Sequence, residues 1–235
     1  MHDSILEVKA ALEQGEVELK GQFLLGSNYT FLVDVHYQGR AIPAVYKPSR
    51  GEQPLWDFPE NTLAQREVAA YIVSEMLGFH FVPYTTLRED GPHGPGSLQQ
   101  HVEYDPDYHY FNFSEADRQR LAPVVFFDLL VNNADRKGSH VLIETGTGKL
   151  WAIDHGICFH EQAKLRTVLW DFAGQPVPEH LRAMLRRAGE LRGALEAYLS
   201  RGEINALALR AEHLMAASVF PNPPSDRRAT PWPPV

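Results

Sequence analysis

Asn132-Asn133-Ala134-Asp135-Arg136-Lys137-Gly138-Ser139-His140, followed after a short apolar hairpin by Ile153-Asp154-His155-Gly156, is the stretch on which the reading of this 235-residue chain turns. Val141-Leu142-Ile143 and Leu150-Trp151-Ala152-Ile153 are apolar enough to pair as strands, and Thr145-Gly146-Thr147-Gly148-Lys149 supplies the turn between them. Such a hairpin holds Asp135 and Asp154 close together at the ends of the two loops that flank it. One carboxylate can then hold a divalent metal while the other orients a nucleophile, as phosphoryl transfer requires. The Thr145–Lys149 turn is not itself a phosphate-binding P-loop. No glycine stands five residues before Gly148, Leu150 replaces the Ser/Thr, and a strand follows where a helix is needed.

Composition limits the alternatives. The chain is long enough for one domain or two small lobes, is 44% hydrophobic, and has no apolar run near the ~20 residues that span a bilayer. No basic segment leads into an apolar run at the N-terminus, so no secretory signal is expected. A single cysteine, Cys158, excludes an intramolecular disulfide framework and fits a reducing cytoplasm. A net charge of −8 argues against broad nucleic-acid or anionic-lipid binding, though not against a nucleotide met by a local cation.

Outward from the hairpin, the first half reads as strands with one long helix. Ser4 and Glu7 make a capping box for a helix carrying Ile5, Val8 and Leu12 and stopped by Gly15. Phe31, Val33, Val35 and Tyr37 alternate as a strand, Gln38-Gly39 turns, and Ala41–Tyr46 returns. Asn61 is positioned to cap a helix ending at Leu77-Gly78. Phe81–Arg88 and Ser97–Tyr104 form a second predicted hairpin. The second half is helical: one helix capped by Ser114 and ending at Asn132-Asn133, then helices near Glu179–Ser200 and Glu203–Val219. Pro221–Val235 is Pro-rich and is expected to be extended or disordered. The resulting expectation is an α+β, bilobal fold: a strand-rich N-lobe (1–104), a mostly helical C-lobe with a catalytic β-hairpin (105–220) and a tail (221–235).

Two residues of the first half join the carboxylates. Lys47 ends a strand, and Glu67 lies on an otherwise apolar row of the helix that follows it. A carboxylate on such a row needs a cation, because burying it unpaired is costly, and Lys47 is the candidate. Gly26-Ser27-Asn28 sits between two predicted strands ahead of Lys47. It reads either as an ordinary turn or as a loop covering phosphates with its backbone N–H groups and the Ser27 hydroxyl.

The ordered set Gly26-Ser27-Asn28, Lys47, Glu67, Asn132–Arg136 and Ile153-Asp154-His155-Gly156 resembles the phosphatidylinositol 3-/4-kinase-like superfamily, which also holds the HipA-type bacterial kinases. The likeness spans roughly residues 17–200 and is strongest to short bacterial members. It implies a bilobal kinase fold and an ATP-dependent phosphotransferase whose acceptor is a hydroxyl on a protein or small molecule, with Mg²⁺ or Mn²⁺ as cofactor. Lys47 would contact the α/β-phosphates, oriented by Glu67. Asp135 would be the catalytic carboxylate, Arg136 its brace, and Asp154 a metal ligand. Gln99 to Glu103, with Gln99, His101 and Glu103 as the candidates, would supply backbone hydrogen bonds to the adenine, and Lys137 would neutralise the γ-phosphate.

One position departs from the pattern. The superfamily carries asparagine, a second metal ligand, five residues after the catalytic aspartate, and this chain has His140 there. Imidazole prefers softer metals than Mg²⁺. His140 therefore reads as a ligand favouring Mn²⁺, as a cation meeting phosphate, or as the mark of a degenerate site. Two other readings stand beside the kinase: a nucleotide-binding pseudokinase acting as a regulatory module, and an AMP transferase. A zinc site at His155 and His160 lacks the usual ligand spacing.

Overall fold

Alternation of apolar and polar residues builds the first half around an antiparallel sheet. In the computed structural model, which describes residues 5–23 and 29–235, helix α1 (Ile5–Gln14) precedes strands β1 (Glu16–Gln22), β2 (Phe31–Tyr37) and β3 (Arg40–Pro48). Gln38 and Gly39 both take positive φ, 49° and 78°, the backbone twist that a two-residue hairpin between Tyr37 and Arg40 demands. After helix α2 (Leu63–Leu77) come β4 (Thr85–Arg88) and β5 (Gly96–Gln100), giving the order β1-β2-β3-β5-β4. Val33, Val35, Ile42, Ala44, Tyr46 and Leu98 pack against Val8, Ala11 and Leu12 of α1 as one core. Ser4 of the expected capping box lies outside the described residues, and α1 stops at Gly15 as its sequence indicates.

Helix α2 is buried on several sides, which explains its weak amphipathicity: it lies between the sheet and the second half. Gly78 closes it at φ 86°. Its start differs from expectation. Asn61 itself sits at φ 57°, Thr62 occupies the N-cap without a side-chain bond, and Glu52 accepts the Ala64 N–H at 3.1 Å instead.

The helix expected from Ser114 to Asn132 is two helices, α3 (Glu115–Gln119) and α4 (Ala122–Val131). Pro123, in the first turn of α4, has no N–H with which to continue α3. Ser114 caps α3 as its residue type suggests. Strands β6 (Val141–Ile143) and β7 (Leu150–Ala152) form the anticipated hairpin, with Leu142 opposite Trp151. The Glu179–Ser200 helix is likewise broken, into α5 (Glu179–Met184), a 3₁₀ stretch and α6 (Leu191–Leu195), and Gly189 and Gly193 each weaken it. Helix α7 (Arg201–Ala216) starts at a Ser200/Glu203 capping box.

The larger core joins α2 to this half through Phe79, Phe81, Phe127, Leu130, Leu169, Leu185 and Leu207. Phe127 meets Phe79 and Phe81 edge-on with centroids 5.2 Å apart, and truncating so buried an aromatic costs about 3–5 kcal/mol. The C-terminal segment forms neither helix nor strand, yet Phe220 and Pro231 are buried. Among the described residues no helix is long and apolar enough to cross a membrane. The architecture is α+β, a strand-rich lobe with one long helix against a mostly helical lobe.

Candidate active site

Strand alternation turns Tyr46 into the first core and therefore directs Lys47 the other way, toward the hairpin of the second lobe. There its ammonium is shared by two carboxylates. It donates to Glu67 Oε1 of α2 and, at 2.9 Å, to Asp154 Oδ1. The second oxygen of Glu67 accepts the His155 N–H at 3.0 Å, so one buried carboxylate fixes both the lysine and the loop carrying Asp154. Asp154 adopts φ 62°, a left-handed conformation sparsely populated outside glycine. Gly156 lets that loop pass close to α2: a Cβ there would stand 3.3 Å from that of Leu63.

The charges reinforce one another. Burial alone would lower the Lys47 pKa, but Asp154 and Glu67 together outweigh it and hold the ammonium charged above its ordinary range. Burial also opposes ionisation of Asp154, and there Lys47, with His140 after it, keeps the carboxyl well below the usual range. Glu67 is pushed upward by burial against the pull of Lys47. Asp135 behaves differently. Burial raises it to about 6, Lys137 opposes that rise and Asp154 adds to it.

Arg136 is wholly buried and binds the two loops into one unit. It grips Asp128 of α4 through Nε at 2.8 Å and Nη2 at 2.9 Å, and its Nη1 donates to the carbonyls of His140 at 3.0 Å and Ile153 at 2.7 Å. His155 Nε2 lies 2.7 Å from the same guanidinium. Asp128 also accepts from Asn133 Nδ2 at 3.0 Å, and Asn133 Oδ1 in turn accepts the Asp135 N–H at 2.9 Å. Sequence reasoning assigns neither Asp128 nor His155 a part in the site. A signal for Asp128 exists: it is the one charged residue in Ala122–Val131, and the reasoning applied to Glu67 applies equally to it.

His140 lies with Nε2 3.1 Å from Asp154 Oδ2. Burial lowers its pKa to about 4, leaving a neutral ring at pH 7. Its Nδ1 receives the Lys137 backbone N–H at 3.4 Å. A backbone N–H can only donate, so Nδ1 accepts and the ring proton sits on Nε2, facing Asp154. In that tautomer His140 is a donor to Asp154 and offers a metal no lone pair on that side. The expected part as a ligand would require the other tautomer or displacement of that proton. Among the described residues no group of three or more His, Cys, Asp or Glu side chains is arranged to hold a metal. The donor set suits a divalent ion that takes a carboxylate from the protein and the rest of its oxygens from phosphate and water.

The residues expected at the adenine are partly engaged elsewhere. Gln99 sits in the ladder between β3 and β4 with its side chain bonded to Thr85 at 2.8 Å, which removes it from the cleft. The His101 N–H donates to Pro43, and the Glu103 carbonyl accepts from Thr145. Val102 between them packs on Leu142 and Trp151 of the hairpin, so this linker joins the lobes. Gly26, Ser27 and Asn28 lie outside the described residues. Lys137 Nζ stands 3.6 Å from Asp135 Oδ2. Cys158 is buried with its thiol pushed upward by burial, as expected of a structural cysteine.

Comparison with known proteins shows the family and the fold. Residues 60–200 match the family model described as phosphatidylinositol 3- and 4-kinase. The chain is 38% identical to Protein Rv2133c of Mycobacterium tuberculosis, over 95% of its own length and 94% of that protein's. Among solved structures it is similar to the Helicobacter pylori proinflammatory kinase CtkA, with a TM-score of 0.55 at 13% identity, covering 88% of this chain and 93% of the other. A weaker likeness, TM-score 0.44 at 12% identity, is to the HipA, HipB and operator DNA complex of Shewanella oneidensis, covering 91% of this chain and 70% of that one. The match over residues 60–200 takes in Glu67, the Asp135–His140 loop and Asp154, and with it the chain belongs to the phosphatidylinositol 3- and 4-kinase family.

Proposed function

We propose that this protein transfers the γ-phosphoryl group of ATP to a hydroxyl of a protein or small molecule. The observation that carries the reading is the Lys47 ammonium held between Glu67 and Asp154 beside the Asp135 loop. Lys47, positioned by Glu67, neutralises the α/β-phosphates. Asp154, oriented by the Nε2–H of His140, would hold a divalent cation. Mg²⁺ or Mn²⁺ there would supply charge neutralisation for the nucleotide phosphates. Asp135, with a pKa of about 6, is ionised at neutral pH and basic enough to orient the acceptor hydroxyl and take its proton. Lys137 beside it offsets charge on the transferred group. His101 and Glu103 flank the linker against which the adenine would lie.

The test is turnover of ATP by purified protein with Mg²⁺ or Mn²⁺, using γ-labelled and α-labelled ATP in parallel. Label transferred from the γ-position alone, and lost in Asp154→Ala, supports phosphoryl transfer. Label from the α-position would instead identify AMP transfer. ATP-dependent thermal stabilisation with no turnover by either chain would favour the pseudokinase.

A further inference from the structure

The C-terminal segment is bound to the Asp135 loop and to the loop that follows Asp154. Thr167, buried in the long loop after Asp154, forms a parallel bridge with Arg136: Arg136 N–H donates to the Arg166 carbonyl at 3.0 Å and Val168 N–H to the Arg136 carbonyl at 3.1 Å. Two more bonds hold this loop to the catalytic segment, Arg166 N–H to the Asn133 carbonyl at 3.0 Å and Lys164 N–H to Asn132 Oδ1 at 2.9 Å. The outer face of the loop is taken by the tail. The Ala229 carbonyl accepts the Thr167 N–H at 3.0 Å and Trp170 Nε1 at 3.3 Å. Five residues on, the Pro234 carbonyl accepts the Gly138 N–H at 2.8 Å. Gly138 lies three residues beyond Asp135, and a Cβ there would meet the Phe111 ring at 2.8 Å, so that loop is closely packed on its other side. Pro231, midway between the two anchors, is buried.

We propose that residues 229–235 are a positioning element for phosphoryl transfer, a strap that sets the Asp135 loop and the 164–168 loop at a fixed separation. The inference rests on the kinase reading of the site. Backbone donors buried without partners are rare, and the tail satisfies one in each loop. Its bonds go to Thr167, Trp170 and Gly138 rather than to Lys47 or Asp154, as those of a brace do. The element acts through Asp135, and a misplacement on the order of 1 Å at such a group lowers rates about a hundredfold.

The experiment compares the full chain, a chain ending at Arg228, and the full chain carrying Pro231→Gly. Hydrogen–deuterium exchange reads the brace directly. Without residues 229–235, peptides covering 133–138 and 164–168 should exchange faster, while those covering β3 and α2 keep their protection. Steady-state kinetics should show kcat reduced at least tenfold with KM for ATP within twofold, and a synthetic peptide of residues 229–235 added in trans should recover part of the loss. Pro231→Gly should show the same pattern at smaller amplitude, which keeps the test decisive if the shortened chain folds poorly. Unchanged exchange in both segments overturns the proposal, as does an unchanged or increased kcat. If no chain turns over ATP, the kinase reading fails separately, and the exchange result still decides whether the tail braces the two loops.

Discussion

Around Asp154 the ionised groups face partners within the protein, whereas around Asp135 the cations outnumber the partners. On the first side Lys47 is shared by Glu67 and Asp154, the second Asp154 oxygen faces His140, and the second Glu67 oxygen holds His155. On the second side Lys137 stands off at 3.6 Å from Asp135, and the Arg166 guanidinium has no hydrogen bond or ion pair among the described residues. On the proposed phosphotransferase reading, the first side is a part set in advance and the second a part that its substrate would complete. Two carboxylates sharing one ammonium leave an excess of negative charge, suited to a cation arriving with a nucleotide. A carboxylate of pKa about 6 next to loosely held cations suits a group that must exchange a proton during turnover.

The sharpest way to break the comparison is Asp154→Ala. Loss of the carboxylate should lower turnover about a hundredfold to a thousandfold, as removal of preorganised electrostatic groups does. Lys47 keeps Glu67 as its partner, so the thermal midpoint should move by only a few degrees. A variant that unfolds outright would show that Asp154 serves the fold as much as the site.

Arg136→Gln probes what the two sides share. The substitution strands Asp128 in the core and frees the carbonyls of His140 and Ile153, and removing one partner of such a buried pair costs about 3–5 kcal/mol. Urea unfolding should report a loss of that size, and turnover should fall with the folded fraction and beyond it. A loss below ~1 kcal/mol would mean that the site does not depend on this link.

His140 separates orientation of Asp154 from ligation of a metal. His140→Ala should cost about 10–100-fold in activity, as loss of groups that orient metal ligands does. His140→Gln reaches about as far with an N–H donor and should recover most of that activity, with the Mn²⁺-to-Mg²⁺ preference unchanged. A strong Mn²⁺ preference in the native protein that vanishes in His140→Gln, followed by Mn²⁺ EPR in the presence of a nonhydrolysable nucleotide, would instead establish His140 as a ligand.

Much of the fold and the site is legible in the amino-acid sequence, though unevenly. Lys47, Glu67, Asp135 and Asp154 can be found because each breaks a pattern: a charge ending a strand, a carboxylate on an apolar row, an acid at each end of a hairpin. Local signals also mark the Gln38-Gly39 turn and the Gly78 stop. The helix break at 120–121 escapes such a reading because Ser114 caps one helix and the polar residues 115–120 run straight into the apolar row from Leu121, while the break within 185–190 is masked by leucines that recur across it although Gly189 and Gly193 interrupt the backbone. Gln99 points to the adenine by its place on a strand entering the linker, but only the sheet order reveals that β5 is flanked on both sides. The docking of the tail cannot be read at all, because its anchors are main-chain carbonyls, which every sequence possesses. The tautomer of His140 is set by another backbone group and is equally hidden.

The acceptor side is tested most finely by pH. Asp135 must be ionised to take a proton, so kcat/KM should fall as pH drops through about 6, with the carboxyl about nine-tenths protonated at pH 5. His140, at about 4, titrates below this range and leaves the limb to Asp135. Lys137 favours the ionised carboxylate, so Lys137→Met removes a force holding the pKa down, and the acid limb should move to higher pH. At pH 8 the variant should lose only what Lys137 contributes to the γ-phosphate, whereas near pH 6 it should lose more. The ratio of variant to native kcat/KM must therefore decline as pH falls. A ratio flat from pH 8 to 5.5 would show that Lys137 does not act through Asp135, and that the loosely paired charge on this side serves the phosphate alone.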